Sequence, residues 1–322
     1  MTHFYCTHFD SNYLGHARNL LYSLENCESD FKLFMFCFDQ VSFDKIVELN
    51  NQNVVPIYHE DLESFFPELK IAKQNRNFVE YFFTCSPAAC KNVIINNPSI
   101  DSITYLDSDL YFFSSPKVIF EEIKNSSVAI IEHRFHWITK RQIKYGRFNV
   151  GWVTFRNDKE GNSCLDLWLK DCLNWCYQKV EKDRFGDQKY LDKWPKLFKN
   201  LKIIDNIGAN AAIWNVKNYK WNLKDNKILL NNIPLVFYHF ANIHQIDDNR
   251  YNTNLSRVLM PLNGVLKNYV YKTYLKNLKK NFDSNKIYFK KDNHLYGMKK
   301  LLIPIYRKIS SFIFKDIIDL RL

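Results

Sequence analysis

The stretch ITYLDSDLYFF, residues 103–113, sets Asp107 and Asp109 two residues apart inside an otherwise apolar run. Removing two such neighbouring charges from water costs about several kcal/mol each unless something pairs with them. That cost vanishes if residues 102–107 form a strand and both acids lie at its carboxyl end. The residues upstream support this. HFYCTHF (3–9), FKLFMFCFD (31–39) and VVPIY (54–58) read as strands, alternating with helices over LGHARNLLYSLENC (14–27) and FDKIVELNN (43–51). A helical region over 61–97, interrupted near Pro67 and Pro87, leads into the acidic strand. Beyond it, Pro116 opens a helix and VAIIEH (128–133) reads as a further strand. Apolar strands alternating with amphipathic helices imply an α/β fold with a mostly parallel central sheet flanked by helices. In such sheets ligands bind beyond the carboxyl ends of the strands, which is where the two acids fall.

The second half is less regular. RFNVGWVTFRND (147–158) alternates like a strand, SCLDLWLKDCLNWCYQKVEK (163–182) reads as a helix, and LKIID (201–205) and PLVFYHFA (234–241) read as strands. No internal repeat or low-complexity linker is present.

Composition narrows the function classes. Among 322 residues, 46% are hydrophobic and 16% aromatic, so a packed core is expected and global disorder is excluded. The eight cysteines show no CxxC pair and no zinc spacing, and are expected as free, mostly buried thiols. The chain opens directly on a strand, without a signal segment, and no apolar run nears the roughly 18 residues a membrane span needs. A cytoplasmic location is therefore expected. Net charge is +11, but residues 267–322 hold 14 Lys and Arg against 4 Asp, so nearly all of it resides there.

Two carboxylates converging at a strand end suit a hard divalent cation, Mn²⁺ or Mg²⁺, which bridges carboxylates to substrate phosphates and stabilises a departing diphosphate. A solvated surface turn is the alternative reading of the same residues.

TYLDSDLYFFSSP (104–116) resembles the metal-binding motif of GT-A-fold glycosyltransferases, which move a sugar from a nucleotide-sugar donor. Five further segments resemble glycosyltransferase family 8 and related nucleotide-diphospho-sugar transferases, in the same order. They are CTHFDSNYLGHARNLLYSL (6–24) with FTCSPAACKNVI (83–94), FNVGWVTFRND (148–158), FGDQKYLD (185–192) and VFYHF (236–240). The resemblance covers residues 3 to 245. It implies a metal held by Asp107, Asp109 and His239, and a nucleotide-sugar contacted by Thr7, Asp10, Asn12, Tyr13, Asp107, Asn149 and Gly151. Tyr13 would stack on the base. Asp10 would meet the base edge or cap the following helix, and Gly151 would allow close backbone approach. Gln188 would support an oxocarbenium-like transition state in a retaining reaction. Asp187 is the candidate base if the reaction inverts.

One departure stands out. The Gly-x-x-Lys-Pro-Trp segment that follows the late histidine in family 8 is missing from HFANIHQIDDNR (239–250). Arg250, Lys91, His244 or a tail lysine would have to meet the diphosphate instead.

The expected organisation is a catalytic domain over 1–250 and a basic, largely helical extension over 251–322. Within 296–322, Leu302, Ile305, Ile309, Phe312, Ile313, Ile317 and Leu320 recur at helical spacing among Lys and Arg. That pattern suits the surface of an anionic membrane, where a lipid-linked acceptor would sit. No nucleic-acid motif accompanies the charge. The expected function is a metal-dependent glycosyltransferase, using a UDP-sugar and a glycan or lipid-linked glycan acceptor in bacterial surface polysaccharide or lipopolysaccharide assembly, at the inner face of the membrane. A sugar nucleotidyltransferase is an alternative, although THFDSNYLG (7–15) lacks its Gly-rich basic loop. A catalytically inactive carbohydrate-binding scaffold is another, opposed by the intact set Asp107, Asp109, Asn149, Gln188 and His239.

Overall fold

A computed structural model describes residues 2–262, 264–280 and 313–321. Its central sheet is built from β1 (His3–Phe9), β2 (Phe31–Cys37), β3 (Val54–Tyr58), β4 (Ser102–Leu106), β6 (Val128–Glu132), β7 (Phe148–Arg156) and β8 (Leu201–Ile204), while β5 (Leu110–Phe112) lies outside it. The strand order is β3-β2-β1-β4-β7-β6-β8. Only β7 runs against its neighbours.

Side-chain alternation explains why these strands are apolar throughout. Phe34, Phe36, Ile103, Tyr105, Val153 and Phe155 face one core, and Leu33, Met35, Leu106 and Trp152 face the other. The long helix α5 (Phe78–Asn96) covers the first face with α7 (Lys159–Asn174). The second is covered by α1 (Leu14–Cys27) and α6 (Lys117–Ile123). The shorter helices α2 (Gln40–Val47), α3 (His59–Phe65) and α4 (Glu68–Asn75) complete the connections in the first third of the chain.

Capping decides where the structure departs from periodicity. The Asp39 carboxylate accepts from Ser42 N, so α2 begins at Gln40 rather than at residue 43. Asp158 likewise accepts from Gly161 N and starts α7 at Lys159; Trp175 is extended, so residues 175–182 are not helical as expected. Cys176 thus lies beyond the helix that carries Cys172. Proline did not break α5: Pro87 lies inside it, among the buried residues Ser86, Ala88 and Ala89. All eight cysteines are free, and seven are buried.

Later elements form small sheets. β9 (Ala211–Ala212) and β13 (Phe237–His239) join β5 in one. β10 (Trp221–Lys224), β11 (Lys227–Leu230) and β12 (Ile233–Pro234) form another. β14 (His244–Gln245), β15 (Arg250–Asn252) and β16 (Ile317–Asp319) form the last. The strand expected over 234–241 is therefore split between the end of β12 at Pro234 and the three residues of β13. Helix α8 (Trp194–Leu197) is a single turn, and α9 (Lys272–Lys280) follows later in the chain.

The expected boundary at residue 250 falls inside a third core, where Tyr251, Leu266, Tyr271, Tyr274, Leu278 and Ile318 pack with Tyr111, Ala211, Trp214, Tyr238 and Phe240. Phe240 and Tyr274 stack at 3.7 Å, and Asn19 of α1 donates to the Tyr274 carbonyl. Residues 317–319, expected as helix, form a strand, because β16 pairs with β15 and buries Ile318. The rest of the amphipathic tail, 296–312, lies outside the described residues. No helix among the described residues is long and apolar enough to cross a membrane.

Candidate active site at the carboxyl ends of the strands

The two acids leave β4 in a tight turn: Leu110 N donates to the carbonyl of Asp107 at 3.2 Å, and β5 begins. β5 pairs antiparallel with β13 so that His239 stands opposite Leu110, and Phe240 N donates to the carbonyl of Asp109 at 3.0 Å. This pairing is what carries His239 to acids set about 130 residues earlier in the chain. His239 Nε2 lies 2.9 Å from Asp109 Oδ1 and 3.6 Å from Asp107 Oδ2. One ligand atom from each of the three residues falls within 4.8 Å of the others.

Electrostatics explain why such a cluster wants a cation. Burial and the neighbouring Asp109 push the Asp107 carboxyl up to about 6, against the opposing pull of His239. Burial acts on Asp109 in the same direction, but the charge and hydrogen bond of His239 outweigh it and leave its pKa below the ordinary value. His239 is itself raised: burial favours the neutral ring, but the charge and hydrogen bond of Asp109 outweigh it. Two carboxylates and an imidazole are a donor set for Mn²⁺ or Mg²⁺, and the residues fit such an ion.

Proton and metal compete for these atoms, so binding should release protons. A proton on Asp107 below about pH 6 blocks one ligand, and one on His239 Nε2 blocks another. Mn²⁺ affinity measured by titration calorimetry should therefore rise from about pH 5 to about pH 8, by up to roughly a hundredfold per unit at the acid end, where both protons must leave. A flat profile would mean that the ion binds elsewhere.

Behind His239 lies β7. The β6–β7 register jumps from Ile130 opposite Val153 to Ile131 opposite Asn149, so residues 150–152 bulge there. Bulges re-aim side chains beside active sites. This one turns Asn149 inward, so that its Oδ1 accepts from Gly151 N at 3.1 Å and lies 3.3 Å from His239 Nδ1. A β-carbon on Gly151 would stand 2.5 Å from Asn149 Oδ1 and 2.9 Å from His239 Nδ1. The close approach expected of this glycine is thus to the protein's own side chains.

Asp187 is buried between the helices of one face. Ser86 of α5 donates to its Oδ2 at 2.8 Å, and Trp168 of α7 donates to its carbonyl at 2.9 Å. Burial pushes its carboxyl up to about 7; Ser86 opposes this, and the charge of Asp107 adds to it. Gln188 is half-buried and donates one amide hydrogen to the Tyr145 carbonyl at 3.0 Å, tying it to the loop 133–147.

The first loop is differently placed. Asp10 Oδ1 accepts from the backbone of Asn12 and Tyr13, and Oδ2 from Asn12 Nδ2 at 2.6 Å, so this carboxylate organises the entry to α1. Tyr13 is 48% exposed, and its phenol pKa is raised by desolvation and then by the charges of Asp109, Asp10 and Asp107. Its ring is therefore available beside the acids. Thr7 is fully buried in β1, with a hydroxyl that has no hydrogen-bond partner among the described residues. Among the proposed diphosphate contacts, Lys91 is paired with Asp166 at 2.6 Å and Arg250 with Asp247 at 2.6 Å. His244 lies in β14.

Two residues of the site carried no expectation. His133 lies past the end of β6, where its Nε2 meets Asn149 Nδ2 at 3.3 Å. Trp214 sets its ring edge-on at 5.0 Å from His239 and 5.1 Å from His133, and its indole N–H has no partner among the described residues. The rule that singled out Asp107, a polar residue just beyond an apolar parallel strand, applies equally to His133 in VAIIEH. Trp214 offers no comparable signal.

No protein-family model matches the chain. It is 35% identical over 240 residues to the uncharacterized protein YfnD of Bacillus subtilis (strain 168), covering 72% of this chain and 75% of that one. To YfnF of the same organism, also uncharacterized, it is 33% identical over 251 residues, covering 75% and 82%. The chain belongs to the family of YfnD and YfnF. Among solved structures, the YfnD-family chain is similar to the galactosyltransferase LgtC in complex with donor and acceptor sugar analogs, with a TM-score of 0.53 and 12% identity over 88% of this chain and 97% of that one. An active-site mutant of LgtC gives 0.51 and 11%, over 86% and 95%. The fold of this YfnD-family chain is thus that of GT-A glycosyltransferases.

Proposed function

We propose that this YfnD-family protein is a metal-dependent glycosyltransferase that moves a sugar from a nucleoside-diphosphate donor, a UDP-sugar in the favoured case, to a glycan or lipid-linked glycan. The observation that carries this reading is the convergence of Asp107, Asp109 and His239 at the carboxyl end of β4, on a fold whose neighbour LgtC holds donor and acceptor sugar analogs. A bound Mn²⁺ or Mg²⁺ would stabilise the charge that develops on the departing diphosphate.

The chain's own groups do the rest. Asp107 and Asp109 supply the anionic ligands, and Asn149 with the bare backbone of Gly151 braces His239 behind them. Tyr13, exposed beside the acids, offers its ring to a base. Gln188 keeps one amide hydrogen on the Tyr145 carbonyl, which leaves its oxygen to support positive charge on the transferred sugar. Retention is favoured over inversion because the rival base, Asp187, is enclosed by Ser86 and Trp168. A hydrolysis screen across nucleotide sugars tests the proposal. At least one donor should be cleaved with Mn²⁺ and spared without it, giving a sugar of unchanged anomeric configuration. Donor binding that is absent or indifferent to metal would favour an inactive scaffold.

The acceptor is assigned to bacterial surface polysaccharide or lipopolysaccharide assembly, and the protein to the inner membrane face, held by the basic tail. Deleting that tail outright would also remove β16 and the buried Ile318. Charge reversal at Lys299, Lys300, Arg307 and Lys308 is the cleaner test. With each cation worth about 1 kcal/mol at an anionic surface, association with phosphatidylglycerol vesicles should fall by at least about tenfold while donor hydrolysis persists. Unchanged vesicle binding would remove the tail from the account.

A further inference from the structure

Which ring nitrogen of His239 faces the cation is decided by a hydrogen-bond chain with a backbone group at each end. Gly151 N–H can only donate, so the Asn149 atom 3.1 Å from it is the amide oxygen. That same oxygen lies 3.3 Å from His239 Nδ1, which must therefore carry a proton. With its oxygen fixed, Asn149 turns Nδ2 toward His133 Nε2 at 3.3 Å. An amide nitrogen only donates, so His133 Nε2 is bare. The His133 proton then resides on Nδ1, 3.2 Å from the Arg147 carbonyl, which can only accept. One assignment satisfies every link. Reversing any of them sets donor against donor or acceptor against acceptor.

We propose that His133 is a positioning residue for the cation site: through Asn149 it keeps a proton on His239 Nδ1 and so leaves Nε2 to face Asp107 and Asp109 as a metal ligand. The inference deepens the functional reading above and rests on its metal site. His239 keeps its Nδ1 proton both in the ion-free protein, where Nε2 pairs with Asp109 at 2.9 Å, and when Nε2 ligates. The surroundings suit a fixed ring: His133 is 5% exposed, Phe135 stacks on it at 4.5 Å, and Trp214 stands T-shaped to both His133 and His239. Partners that orient a ligating histidine typically matter by 10–100-fold in metal affinity.

Two measurements on the full chain decide it. The first is the ¹⁵N spectrum of histidine-labelled protein with and without Mg²⁺, in which His239 Nδ1 should be protonated in both states. The second is Mn²⁺ affinity by electron paramagnetic resonance. His133→Phe keeps the ring packing but removes the acceptor, and should weaken Mn²⁺ binding by about tenfold. His133→Gln restores an acceptor and should return affinity to within about threefold of the wild type. A bare Nδ1 on His239, or equal Mn²⁺ affinity in His133→Phe and the wild type, would overturn the role of His133. If His133→Phe fails to fold, the wild-type ¹⁵N spectrum decides alone. Wild-type protein that binds no Mn²⁺ would overturn the functional reading itself, whereas one that binds Mn²⁺ with a bare Nδ1 would overturn only the role of His133.

Discussion

Asp109→Ala protein is expected to fold normally and to lose Mn²⁺-dependent donor hydrolysis by about a thousandfold or more. The magnitude follows from the ion's role, since a cation stabilising a leaving diphosphate supplies several kcal/mol, and each 1.36 kcal/mol is a factor of about ten in rate. Asp109 is the acid nearer His239, at 2.9 Å, and its pKa lies below the ordinary value, so it is the ligand that is ionised at every working pH. Stability should change little. The substitution deletes an ion pair with His239 and also the repulsion that raises Asp107, two effects of opposite sign. The check is hydrolysis of the preferred donor alongside a thermal melt. Retained turnover in a folded variant would place the chemistry elsewhere.

Gly151→Ala should be nearly as damaging, although it removes no ligand. Its new methyl would enter 2.5 Å from Asn149 Oδ1, 2.9 Å from His239 Nδ1 and 3.1 Å from His239 Cε1. Asn149 cannot swing away freely, since its oxygen is held by the backbone N–H of Gly151 itself. The imidazole must move instead, and a displacement of about 1 Å at a reacting centre can cost a hundredfold. We expect Mn²⁺ affinity and turnover each to fall by about a hundredfold, with about 1–3 kcal/mol of lost stability from overpacking. Gly264→Ala is the control, because a methyl there meets nothing within 4 Å. A Gly151→Ala enzyme with wild-type metal affinity would show that His239 is not braced as described.

Much of this architecture was legible in the residues, for reasons that can be named. The strands at 3–9 and 54–58 and the helix at 14–27 were read with the bounds the structure shows, because each is a strongly periodic run flanked by polar residues. Helix ends were misread where a single aspartate acts through its side chain, as Asp39 and Asp158 do, since a cap overrides the apolar period that precedes it. Pro87 misled in the opposite direction: burial among α5 neighbours outweighs the backbone bond a proline forfeits.

The site divides in the same way. Asp107 and Asp109 declare themselves, because charges at the end of an apolar strand need a reason. His239 sits on an apolar strand and is recognisable from the residues alone only as a core histidine. Its pairing across β5 brings it to the acids, and that register is a tertiary fact. The hydrogen bonds that brace it depend on a bulge in β7, which no spacing announces. The apolar residues that join the 251–280 region and β16 to the body, Tyr251, Tyr271, Tyr274 and Ile318 among them, look like tail in a charge count, because charge reports the surface and not the side that packs.

The most direct test of the account is anomalous scattering from a crystal soaked with Mn²⁺ and UDP. A peak ligated by Asp107, Asp109 and His239 Nε2, with the diphosphate completing its shell, is the expected result. Nucleotide bound with no metal at those three side chains would contradict it.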